Sequence, residues 1–225
     1  MEETCGARLT MNYNVPGGVM QDLHPDFQRK VKEFLVLYKR KIHEYDELVT
    51  GNIIFQNRMK GVGMLSAADA ISYGCSGPTA RGSAVSSDIR KVYPYGIYDK
   101  LEFDEVLETG GDSFARYMVR IREMQQSIRI IEQLIDNIPE GDFQAKTKAV
   151  LKLPKGEFYT KVETARGELG VYIVSEGGTT PYRIKFRSPG FSNLSVLDHI
   201  ARGSKIGDLV AMMGTLDLVI PDIDR

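Results

Sequence analysis

The sequence predicts an α+β fold, mainly α. Two long amphipathic stripes, Phe27 to Leu48 and Phe114 to Ile138, recur at three- and four-residue steps. After residue 157 the apolar pattern switches to period two, the mark of a small antiparallel sheet. Between the stripes lies a glycine-punctuated stretch of weak periodicity. With 225 residues the chain is long enough to bury a sizeable core. We divide it into a helical bundle part with an irregular glycine-rich segment, 1–141, and a small sheet with C-terminal helices and tail, 142–225.

The elements follow in order. Residues 1–24 read as irregular chain, with Pro16-Gly17-Gly18 as the strongest turn signal. The first helix carries Phe27, Val31, Phe34, Tyr38, Ile42, Tyr45 and Leu48 on one side and ends at Gly51, its charges forming a solvated face. From Gly51 to Asp99 one short helix is predicted, Ser66 to Ser72; the remainder is either packed loops under a larger core or a segment wrapped around a partner. Asp112 is placed to cap the second helix, which Pro139 and Gly141 end. Two such stripes cannot bury one another fully, so a bundle needs further helices. The segments FYTKVET, LGVYIVSE and YRIKFRS are three strands, the last two joined at Gly177-Gly178. SNLSVLDHIARG and KIGDLVAMM are the closing helices.

Composition excludes several classes. A net charge of -1 argues against a dedicated nucleic-acid binder. Cys5 and Cys75 lack CxxC spacing, so neither a disulfide framework nor a zinc site is implied, and a reducing compartment is favoured. His24, His43 and His199 have no metal-ligand spacing, and no GxSxG, P-loop lysine or HExxH motif occurs. No apolar run is long enough to span a bilayer, so membrane association is expected to be peripheral or through partners. At the C-terminus, Asp217, Asp222 and Asp224 read from pattern alone as an acidic, solvated tail.

Several stretches carry a more specific signal: PGGVMQDL, YGCSGPTARGS, GDSFARYMVRIREMQQSIRIIEQ, RGELGVYIVSEGGTTPYRIKFRSPGFSNL and GDLVAMMGTLDLVIPDIDR. In order and spacing they resemble the C-terminal half to two-thirds of the D-subunit family of NADH:quinone oxidoreductase, respiratory complex I. The resemblance covers essentially the whole chain. It departs at Val15, where the family usually has arginine before Pro-Gly-Gly, and at Ser87, where an aromatic residue precedes the aspartate.

The resemblance implies a fold shared with the large subunit of nickel–iron hydrogenases, here a truncated helical bundle with a small sheet. The hydrogenase D-P-C-x-x-C-x-x-H motif falls on Asp217 to Arg225, with Val219 and Asp222 at the cysteine positions and Arg225 at the histidine position. Valine cannot coordinate a metal, so no metal site is carried over. What is implied instead is a subunit without its own cofactor that contributes to a quinone cavity beside the terminal iron–sulfur cluster of a neighbouring small subunit and couples electron transfer to proton translocation. Asp217 and Val219 would line that pocket. Arg225 would pair with Asp222 or Asp224 or contact the cluster-bearing subunit. NAD and 4Fe–4S clusters would sit in partner subunits of the peripheral arm, on the cytoplasmic side of the cell membrane, with the membrane arm reached indirectly. The family's N-terminal portion, with its histidine-bearing strand, is expected as a separate piece, and the chain alone is expected to be inactive. The alternatives are a non-catalytic scaffold fragment of that complex and a hydrogenase-like relative with another electron donor.

Overall fold

A computed structural model describes residues 2–9, 11–148 and 150–224. It is α+β and mainly helical, as the two periodicities predict. The helices are α1 (Glu2–Cys5), α2 (Phe27–Tyr45), α3 (Ile53–Met59), α4 (Ala67–Ser72), α5 (Gly77–Arg81), α6 (Ile89–Val92), α7 (Ser113–Leu134), α8 (Pro189–Ser195), α9 (Leu197–Ala201), α10 (Ile206–Leu216) and α11 (Ile220–Ile223). A two-residue hairpin, β1 (Asn14–Val15) and β2 (Gly18–Val19), turns at Pro16-Gly17. The sheet is β3 (Gly156–Thr164), β4 (Gly167–Ser175) and β5 (Arg183–Arg187), antiparallel and in sequence order.

Local chemistry explains the boundaries. Asp112 caps α7 by accepting from the Ala115 N–H at 2.7 Å, and its other oxygen takes the Gly61 N–H at 2.8 Å, tying the helix start to the glycine-rich segment. Ser66 caps α4 in the same way through the Asp69 N–H. The first long helix does reach Gly51, but its last turn, Asp46–Thr50, is π-helical. Thr50 Oγ1 lies 3.0 Å from Asp46 Oδ1 and 2.9 Å from the Tyr117 hydroxyl, so side-chain bonds to α7 hold the widened turn. The segment expected as one helix from Ser192 to Gly203 instead begins at Pro189, breaks at Val196, whose side chain is fully buried, and ends at Ala201.

Two apolar cores result. In one, the predicted stripes meet: Leu35 and Ile42 of α2 pack with Ile128 of α7, flanked by Tyr38 and Met124. The other is built from both ends of the chain, with Leu65, Ala70, Cys75 and Ala80 against Val196, Ile200, Met212 and Leu216. Each of its fully buried large side chains contributes about 1.5–3 kcal/mol. The stretch from Cys75 to Ser83 is continuously buried, so this part of the glycine-rich segment is packed interior. By contrast α2 leaves Phe34, Val36 and Leu37 exposed, Val36 by 75%.

Cys75 sits in the second core, where burial pushes its thiol up to about 11. We expect iodoacetamide at pH 8 to modify the partly exposed Cys5 and to leave Cys75 untouched until the chain unfolds. Two alkylated thiols in the native protein, counted by mass spectrometry, would contradict this packing.

Candidate functional site

Helix α7 carries a polar row beside its apolar stripe: Arg116, Arg120, Glu123 and Ser127, spaced four, three and four residues apart. That row faces α5, β3 and the end of α10. At its centre Arg81, 1% exposed, holds Glu123 at 2.6 Å and Glu163 of β3 at 2.9 Å. The second Glu163 oxygen accepts the Ile89 N–H at 3.1 Å, and Arg90 pairs with the buried Asp88 at 2.6 Å. Burial pushes the Glu123 and Glu163 carboxyls above the usual range, and Arg81 only partly offsets it. Burial also pushes Asp88 up, but there Arg90 and Arg81 prevail and hold it low.

Asp217 joins this cluster from α10. It ends that helix in the left-handed conformation, φ +54° and ψ +54°, where aspartate is among the few tolerated side chains. Arg166 Nε, from the β3–β4 turn, donates to its carbonyl at 3.2 Å and lies 3.5 Å from its carboxylate. The side chain stays 38% exposed and opens into a cleft of about 420 Å³ also lined by Arg81, Arg90, Arg120, Glu123 and Glu163. A cleft of this kind offers both proton-holding carboxyls and guanidinium donors to a polar group entering it.

The other tail residues lie elsewhere. Val219 lines a second cleft, about 350 Å³, with Leu169, Pro189, Pro221 and Asp222; Thr164 is a wall common to both, and Arg166 stands on this side while gripping Asp217. Asp217 and Val219 are therefore neighbours that open into adjoining spaces. Asp222 accepts from Ser188 Oγ at 2.5 Å, an engagement not foreseen from sequence. Gly190 makes room for it, since a Cβ there would stand 2.9 Å from the Asp222 oxygen. Asp224 closes α11 as its C-cap and is exposed. Arg225 lies outside the described residues.

Sequence reasoning missed Arg81, Arg120, Glu123 and Glu163. The four-three-four row on α7 was the available trace, but charges repeating on one helix side ordinarily read as a solvated face, so the pattern alone does not mark them as interior.

The profile of a protein family described as "Respiratory-chain NADH dehydrogenase, 49 Kd subunit" matches residues 1–152 and 147–225. The chain belongs to this 49 Kd subunit family. Among curated relatives, it is 55% identical over 224 residues to the NADH-quinone oxidoreductase C/D subunit of Bacteroides thetaiotaomicron, covering 100% of the chain and 42% of that protein. It is 44% identical to the second NADH-quinone oxidoreductase D subunit of Solibacter usitatus, covering 100% of the chain and 60% of the relative. The D subunit of Bacillus cytotoxicus is also 44% identical, with 62% of its length covered. The chain thus spans less than half of the C/D relatives and about three-fifths of the D relatives. Among the described residues no helix of this 49 Kd family member is long and apolar enough to cross a membrane.

Proposed function

We propose that the chain forms part of the wall of a quinone-binding cavity in a respiratory NADH:quinone oxidoreductase, beside an iron–sulfur cluster carried by a partner subunit. The observation that carries this reading is the left-handed turn at Asp217, which sets a half-exposed carboxylate into a cleft already holding Arg120 and the Arg81–Glu123–Glu163 cluster. Asp217 and the raised carboxyls Glu123 and Glu163 are suited to pass protons toward a headgroup being reduced. Val219, in the adjoining cleft, supplies apolar wall. Electrons would arrive from NADH through partner clusters, and quinone reduction would be coupled to proton movement in a membrane arm that the chain does not enter. The further walls of the cavity belong to other parts of the assembly, including the portion of the subunit that the relatives carry and these residues do not, so turnover belongs to the assembled complex.

Asp217→Asn tests the reading in the intact complex. Asparagine keeps the left-handed turn and the bulk while removing the charge. The expected result is a fall of about ten- to a hundred-fold in quinone turnover, or a comparable rise in quinone KM, with NADH oxidation by an upstream artificial acceptor unchanged. Wild-type quinone kinetics and inhibitor sensitivity would reject the assignment.

A further inference from the structure

The arginines around the cleft differ in one respect. Arg81 has two carboxylates and Arg90 has one, and Arg166 holds Asp217. Arg116, one turn before Arg120, is held by four acceptors without any carboxylate. Its guanidinium donates to the carbonyls of Gly111 and Gly63 and to the hydroxyls of Ser113 and Thr215. Among the described residues Arg120 makes a single hydrogen bond, from Nη1 to the Arg116 carbonyl at 2.9 Å, and no carboxylate oxygen of theirs comes within 4.0 Å of it. Arg120 is one of the residues that line the cleft beside Asp217.

This is a costly arrangement for a cation that is only partly exposed. Burial pulls the Arg120 guanidinium down, with the charges of Asp217 and Glu123 acting against it from a distance. A partly buried cation with donors to spare is normally met by protein acceptors, as Arg116 is. The charges lining the cleft balance, with Arg81, Arg90 and Arg120 against Glu123, Glu163 and Asp217, so the cleft does not select a permanent anion such as phosphate. It suits a neutral ligand with a carbonyl oxygen on which negative charge appears during reaction.

We propose that Arg120 is the donor that meets a carbonyl oxygen of the quinone headgroup and stabilises the charge that develops there on reduction. The inference rests on the cavity assigned above. Reduction adds two electrons, delivered singly from the partner subunit's iron–sulfur cluster, and two protons, ultimately from solvent, turning two carbonyls into two hydroxyls. Arg120 keeps its own protons throughout. A fixed cation at the oxygen favours the electron-rich form over the neutral one, so its effect falls on turnover more than on substrate affinity.

The test compares Arg120→Gln, Arg120→Lys and Asp217→Asn in the whole complex. Arg120→Gln is expected to lower quinone kcat about a hundred-fold with KM little changed, and to lose most with low-potential quinones, whose reduction depends most on stabilisation of the charge. Arg120→Lys, which keeps the charge but not the fork, is expected to recover part of the rate. NADH oxidation by an upstream acceptor reports assembly and is expected to stay at the wild-type level. If Asp217→Asn alters quinone kinetics while Arg120→Gln stays within two-fold of wild type, the role of Arg120 is overturned and the cavity stands; if neither changes anything, both fall. Should Arg120→Gln fail to assemble, Arg120→Lys decides: a several-fold loss of kcat supports the proposal, and wild-type turnover with every quinone rejects it.

Discussion

Arg81→Met is expected to destabilise the protein by about 3–5 kcal/mol, because it leaves two carboxylates, Glu123 and Glu163, buried without their cation. The midpoint of urea unfolding, compared with wild type at pH 7.5, measures it. Adding Glu123→Gln and Glu163→Gln should return most of the loss, since the three uncharged side chains no longer need a counter-charge; a triple variant as unstable as the single one would show that packing, not charge, sets the cost. The pH dependence has a definite sign. Burial raises both carboxyls above their ordinary value of 4.5, so the folded state binds protons more tightly than the unfolded state. Stability falls as pH climbs from about 4.5 through the folded values, and more steeply once Arg81 is gone. The deficit of Arg81→Met should therefore be smaller at pH 5 than at pH 8.

Gly77→Ala is expected to be comparably damaging, for a purely steric reason. Gly77 opens α5 at φ +63°, and an added Cβ would lie 2.5 Å from both the Arg166 carbonyl oxygen and the Gly167 Cα. Gly167 meets the same fate from its own side, at φ +129°, with Ser76 Oγ at 2.5 Å and Gly77 N at 2.7 Å from its Cβ position. Two backbones touch here, neither can yield like the end of a flexible side chain, and left-handed strain adds to the overlap. A loss of about 3 kcal/mol or more in unfolding free energy is expected for either alanine variant. Because this contact carries Arg166 to Asp217, it should appear also as lower quinone turnover in the complex. A Gly77→Ala protein with wild-type stability would mean that the two backbones stand further apart.

Much of this fold could be read from local chemistry. Asp112 and Ser66 announce their helices because a cap needs only the residues after it, and the three strands alternate because one period governs each. The site is another matter. Arg81 finds Glu123 and Glu163 across 42 and 82 residues, and nothing local marks a charged side chain as interior. Asp217 and Val219 stand two apart in sequence and share one inferred role, yet the left-handed residue turns the chain between them so that they open into different clefts. A conformation adopted by one residue is invisible to any periodicity.

The meeting of Gly77 with Gly167 also has a clock in it. Ser76, beside that contact, accepts the Glu168 N–H from 92 residues downstream and an Arg187 N–H from 111 downstream. At about 5–20 residues per second, the ribosome needs on the order of 5–20 s to supply those partners. During that interval the Cys75–Ser83 stretch, buried in the finished fold, can meet α4 and α7 but lacks its cover from β4 and the C-terminal helices. Slowing translation between these two points should lengthen the chain's dependence on chaperones, whereas the same slowing after residue 187 should not.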